Sequence, residues 1–182
     1  MHVRIFGGVA VIAVVALLTL CVASSGFGGS ARASADDLQI GQTVAIEGKS
    51  LDARTIHASE IEIQQESHED KLKGRIQHID SGANSLVVLG TKVVATPDAQ
   101  IAARDGSAMP FSGLQKGWMV KVKGRLQEQG ALQASEIKVS REEAPDEAEV
   151  EGRVQSVDKS RGTLTVAGLT IRLTPTTKIK FD

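Results

Sequence analysis

The side chains best suited to chemistry in this chain are three histidines, two methionines, one tryptophan and a short row of cations. His57, His68 and His78 follow an apolar leader; no two are spaced i, i+2 or i, i+4. A soft ion such as Cu(I) needs thiolate or thioether donors. The single cysteine, Cys21, falls in the leader, so Met109, Met119 and His78 form the one conceivable set. Methionine is more often an adaptable filler of core gaps, and packing is the expected role for both. Trp118 would stack a sugar or a base if its ring were exposed. It alternates with Val120 and Val122, which predicts burial instead. The other face of that strand carries Met119, Lys121, Lys123 and Arg125, with Lys116 and Lys138 nearby. This row could meet an anionic partner; it also reads as a solvated face that blocks edge-to-edge pairing.

Enzyme chemistry finds little footing. No serine lies in a G-x-S-x-G elbow, no glycine-rich loop opens a helix to cradle phosphate, and no cysteine outside the leader can serve as a nucleophile. Glu60 and Glu62 share a strand face, but the repeat partners of these positions are Glu136 and Lys138. Glu60 and Glu136 therefore read as turn or strand-edge residues. No cofactor and no metal are expected. A net charge of −1 argues against a general nucleic-acid binder, which needs a basic excess.

The elements that must carry these residues are repeated. Gly41–Ile63 aligns without a gap on Gly117–Val139, matching Gly41/Gly117, Val44/Val120, Gly48/Gly124 and the tetrapeptide Ala-Ser-Glu-Ile at 58–61 and 134–137. Gly74–Ile101 aligns in the same way on Gly152–Ile179, through Gly74/Gly152, Arg75/Arg153, Gln77/Gln155, Asp80/Asp158, Leu86/Leu164, Val88/Val166, Gly90/Gly168 and Thr96-Pro97/Thr174-Pro175. With the second unit named A and the first B, the order is leader, B, A, B, A. Self-similarity of this kind defines the architecture before any other signal. Aromatic residues are 3% of the chain, so the core is built of valine, isoleucine and leucine, which suit pleated strands.

Short runs with period-two alternation, punctuated by glycine, predict strands: 75–79, 85–89 and 92–96, with Pro97-Asp98 ending the last, then 120–123 and 132–139. One A with one B gives five or six strands, the number of an OB-like barrel. The expected fold is all-β: small OB-like barrels made of duplicated halves, behind an apolar N-terminal helix. Residues 72–139 form the central barrel. Residues 36–71 are an orphan B half with a linker, 140–149 an acidic linker, and 150–182 an orphan A half that could pair with 38–63 as a second barrel.

The first 35 residues read as a leader. Arg4 precedes an uncharged stretch from Ile5 to Ala23, and Ala33-Ser34-Ala35 offers small residues to a signal peptidase; Ala31-Arg32-Ala33 is a second such site. Uncleaved, residues 5–23 are long enough to anchor the chain in the inner membrane. Lipidation at Cys21 is a third reading, against which Leu20 occupies the place of a small residue. All three put the chain outside the cytoplasm, in the periplasm or beyond.

The A half runs G-R-(I/V)-Q-x-(I/V)-D, L-x-V-x-G, T-P-x-x-x-I; the B half runs L-x-x-G-x-x-V-x-V-x-G, then L-x-A-S-E-I. Together they resemble the bacterial domain family of unknown function DUF5666, over most of the chain beyond the leader. The resemblance implies fold and export and carries no chemistry to particular positions. A fainter likeness is to periplasmic copper-binding OB proteins, whose second strand ends in a histidine. Here that strand ends Val88-Leu89-Gly90, and Met109, Trp118 and Met119 are not at that family's spacing. The expected function is a non-catalytic binding or scaffolding module of the cell envelope. Its expected partner is an envelope protein or glycan; no specific nucleic acid is expected, and a membrane only through an uncleaved leader. The alternative is a periplasmic copper-type metal-binding OB protein.

Overall fold

A computed structural model describes residues 33–65, 67, 69–140 and 146–182. The leader through residue 32, with its expected helix, Cys21 and the Ala31-Arg32 part of the second cleavage site, lies outside the described residues, as does His68. Among the described residues no helix is long and apolar enough to cross a membrane.

The fold is all-β. Among the described residues eleven strands run in chain order: β1 (Thr43–Ser50), β2 (Thr55–Gln64), β3 (Asp70–Asp80), β4 (Ser85–Val88), β5 (Thr91–Ala102), β6 (Met119–Leu126), β7 (Leu132–Val139), β8 (Glu147–Asp158), β9 (Thr163–Val166), β10 (Leu169–Arg172) and β11 (Lys178–Phe181). In the central unit β3 pairs β4, β4 pairs β5, β5 runs parallel to β7, β7 pairs β6, and β6 returns to β3. That closed five-strand ring has the order of an OB-like barrel. The flanking strands repeat it: β8–β9–β10, then β2 in parallel, then β1, which returns to β8. β11 extends the parallel contact along β2. The second ring is thus assembled from the two ends of the described chain.

Local chemistry makes these strands. Along β7 the burial alternates, with Leu132, Ala134, Ile137 and Val139 inside and Gln133, Ser135 and Lys138 outside, so one face feeds the core and one meets water. The core cluster is aliphatic throughout and includes Ile46, Ile61, Leu72, Ile76, Val120, Val122, Val150 and Leu164. Leu89-Gly90 and Ala167-Gly168 form matching two-residue turns with all four residues at positive φ, a geometry that fits the twist of a hairpin. At Gly48 and Gly124 the strands bulge. A Cβ at either would run into the carbonyl oxygen of His57 or Gln133 across the ladder, so these sites exclude any side chain.

Several expected boundaries move. β5 continues through Pro97 and Asp98 to Ala102. Proline stands where the register with β7 shifts between Ala95 and Gln100, so its missing N–H costs no ladder bond. The acidic stretch expected as a linker enters β8 at Glu147, and Asp70 and Lys71 already belong to β3. Glu60 and Glu136 lie within β2 and β7, not in turns, paired with Lys180 at 2.9 Å and Lys123 at 2.8 Å. Met119, expected on the wet face of β6, is buried.

The two rings are joined edge to edge. Lys71 lies opposite Glu151, Leu72 opposite Val150 and Lys73 opposite Glu149, where β3 pairs antiparallel with β8. Lys71 Nζ is 2.8 Å from Glu151. Lys73 Nζ is 2.6 Å from Glu149 and 3.3 Å from Glu147, with its side chain only 7% exposed. Lys121 approaches Glu149 from β6 at 3.4 Å. Lys73 is the buried member, and taking away its carboxylates leaves a buried charge uncompensated, whereas the half-exposed Lys121 contact adds little. Lys71→Glu with Lys73→Glu should therefore lower the urea midpoint sharply, and adding Glu149→Lys with Glu151→Lys should recover most of the loss. Equal midpoints in the double and quadruple variants would remove the seam from the stability account.

Candidate functional site

The expected cation row is present, and two of its five members, Lys121 and Lys123, face carboxylates. Lys121, Lys123 and Arg125 project from β6, and Lys138 lies opposite Lys121 on β7. Lys123 is held by Glu136, whose carboxylate keeps the ammonium above its usual pKa. Lys121 leans toward Glu149 across the seam. Lys116, Arg125 and Lys138 are exposed.

The metal-set residues have different surroundings. Met119 is buried at the head of β6, His78 is exposed on β3, and Met109 borders a pocket with Asn84, Thr96, Ile101, Pro110 and Phe111. Among the described residues no cluster of three or more His, Cys, Asp or Glu side chains could hold an ion. His57 belongs to the flanking ring, on β2, where its Nε2 is buried without a hydrogen-bond partner.

Residues shared by the repeats serve the scaffold. Gln77 and Gln155 each accept a backbone N–H from the hairpin glycine, Gly90 at 2.7 Å and Gly168 at 2.9 Å. Asp80 and Asp158 hold the following turn by accepting from Gly82, Ala83 and Arg161, the usual work of aspartate at a bend. Ser59 and Ser135 each donate to a carbonyl of the neighbouring strand, Glu47 and Lys123. The duplicated motif thus encodes closure of a barrel.

Two concavities stand out. The first is a cleft of about 400 Å³ at the junction of the rings, walled by Ser67, Glu69, Asp70, Arg125 and Leu126 on one side and Gly152, Arg153 and Gln155 on the other. Asp70 forms its floor. Its Oδ2 accepts the Leu126 N–H at 2.8 Å, and its Oδ1 occupies the space a Cβ on Gly152 would take, 2.7 Å away. Burial pushes the Asp70 carboxyl above the ordinary carboxylate value, against the opposing pull of the Leu126 N–H and Arg153. Sequence reading missed this cleft because its walls come from segments far apart in the chain.

The second is a depression of about 660 Å³ lined by Ala103, Arg104, Asp105, Trp118 and Val139. Trp118 is half-buried, not fully inside as its alternation predicts: its ring packs on the core cluster and also lines this depression. It sits just before β6, where Gly117 takes a positive φ and the Trp118 N–H reaches back to the Gln115 carbonyl, so the ideal strand alternation has not yet begun. The rim is a tight turn in which Ala103 N–H donates to Ser107 at 2.8 Å. The Ser107 hydroxyl and N–H both bind Asp105 Oδ1, at 2.6 and 2.9 Å, and hold its carboxyl below the usual range.

A carboxyl whose pKa is raised by folding stabilises the fold only while protonated. That contribution is complete below the ordinary value of 3.8 and is lost as pH rises through the elevated one. Asp70→Asn keeps an oxygen for the Leu126 N–H and cannot ionise. It should melt above the native protein at pH 7, with the gap closing as pH falls toward 3.8. A native protein that gains on the variant as pH rises would contradict this.

Among protein families, the model for a domain of unknown function, DUF5666, matches residues 73–138 and 151–182. No curated protein and no solved structure matches the chain.

Proposed function

Because the chain belongs to the DUF5666 family, whose domain has no assigned function, we propose from its own residues that it is an exported, non-catalytic binding or scaffolding module of the bacterial cell envelope. One observation carries this reading: the Lys–Glu seam joins two barrels in a single continuous sheet, and a cleft has walls from both barrels. A preformed concave surface with a few convergent polar groups suits binding. The repeated polar residues are occupied in holding turns and strands together, which accounts for a scaffold. The leader, with Arg4, the uncharged Ile5–Ala23 run and Ala33-Ser34-Ala35, supports export. Fold by itself names no ligand, so the reading rests on these residues.

Fractionation and sedimentation test it together. The full chain, expressed with its leader in a bacterial host, should be recovered outside the cytoplasm and should co-sediment saturably with purified envelope material. Arg125→Glu combined with Arg153→Glu should weaken that sedimentation if the cleft takes part. Retention in the cytoplasm, or recovery in the supernatant at every concentration of envelope material, would overturn the proposal.

A further inference from the structure

We propose that the Trp118 depression is a carbohydrate-binding site, taking one or two pyranose rings of a hydroxyl-rich envelope glycan. This deepens the binding reading above and rests on it. A pyranose has an apolar face of C–H bonds and an equatorial rim of hydroxyls. It is recognised by an aromatic surface beneath the ring and planar, charged hydrogen-bonding groups beside it. The depression supplies both. Trp118, Val139 and Ala103 line it together, while Arg104 and Asp105 stand exposed on the rim. Asp105 Oδ1 is fixed by Ser107, which orients the carboxylate and leaves Oδ2 to accept from a ligand hydroxyl. Arg104 offers a fork of N–H donors to two vicinal oxygens.

The repeat acts as an internal control. The flanking ring has Gln42 where this one has Trp118, and Ile63 where it has Val139. Closing the barrel therefore requires the aliphatic residue and not the indole. Phe181 and Asp182 replace Ala103 and Arg104, so the guanidinium on the rim is likewise peculiar to one ring. A base could stack on the same indole. A nucleic acid would also bring a phosphate backbone against Asp105 and against a chain of net charge −1, whereas phosphate binding draws on a basic surface. A neutral or hydroxyl-rich ring meets no such repulsion.

The chain has one tryptophan, so intrinsic emission reports this site alone. The full chain is titrated with four neutral probes: cellohexaose, maltohexaose, chitohexaose and isomaltohexaose. At least one should change the emission saturably and protect Trp118 from acrylamide quenching. By calorimetry, the same sugar should bind about tenfold more weakly or worse to Arg104→Ala and to Asp105→Asn, the cost of a lost charged hydrogen bond. Trp118→Ala should abolish binding, and Trp118→Phe should retain part of it. Both rim residues are exposed on a turn, so their variants remain informative if the tryptophan variants fold poorly. Silence with all four sugars, saturable binding of a single-stranded oligonucleotide in their place, or undiminished sugar binding by the rim variants would each overturn the assignment. If Trp118→Ala and Arg104→Ala still co-sediment with envelope material like the native chain, the sugar site fails while the broader binding reading stands. Loss of sedimentation by the native chain defeats the broader reading itself.

Discussion

Lys71, Leu72 and Lys73 of β3 face Glu151, Val150 and Glu149 of β8, and the placement of everything else follows from that short antiparallel contact. The repeat alignment makes Lys71 equivalent to Glu149, Leu72 to Val150 and Lys73 to Glu151. The contact therefore has a local two-fold centre between Leu72 and Val150, about which every lysine meets a glutamate. Two copies of β3 joined in the same register would set Lys71 against Lys73, and two copies of β8 would set Glu149 against Glu151. Like charges directly opposite one another on a sheet are destabilising. An exposed strand edge is ordinarily a template for uncontrolled pairing. Here the edge of one barrel is covered by the other, and the charge pattern favours that partner over a copy of itself.

Duplication also separates scaffold from site. Where both halves keep a residue, its role is visible in bonds: Gln77 and Gln155 at the hairpin glycines, Ser59 and Ser135 at the bulged strands, Gly48 and Gly124 where no Cβ fits. Where the halves differ, closure of the barrel does not dictate the choice. Trp118 against Gln42, and Arg104 against Asp182, are differences of this kind. A family signature composed of the shared residues describes a way of folding, and says little about what the surface meets.

Much of the fold was legible because it rests on local signals. Period-two alternation at Val120–Lys123 and the glycines at 90, 124 and 168 mark strands, turns and bulges in the places observed. Other features depended on partners that sequence does not display. Glu147 and Glu149 look like part of a solvated acidic run until Lys73 is placed beside them. Pro97 reads as a stop until the register shift beside it removes the need for its N–H. Trp118 follows the alternation of its neighbours on paper, yet it precedes the strand and escapes the rule. The inter-barrel cleft was invisible for the same reason: Asp70 and Gly152 acquire a shared meaning only when the two rings touch.

The wrapped path of the chain has a kinetic corollary. Strands β3 to β7 are consecutive, so the central ring can close as soon as Val139 has emerged. The β1–β2 hairpin is made earlier but finds its neighbours later. Its parallel partners are β10 and β11, and Thr177 bonds the Ala58 carbonyl across 119 positions of sequence. Long-range parallel pairing is slow because the chain entropy of the loop is spent before any contact repays it. The oldest segment therefore waits longest, with Ile56 and Ile61 uncovered, while a finished barrel sits between it and the strands it needs. Maturation should proceed in two stages, and the interval between them is when this protein would be most exposed to aggregation and most dependent on a chaperone.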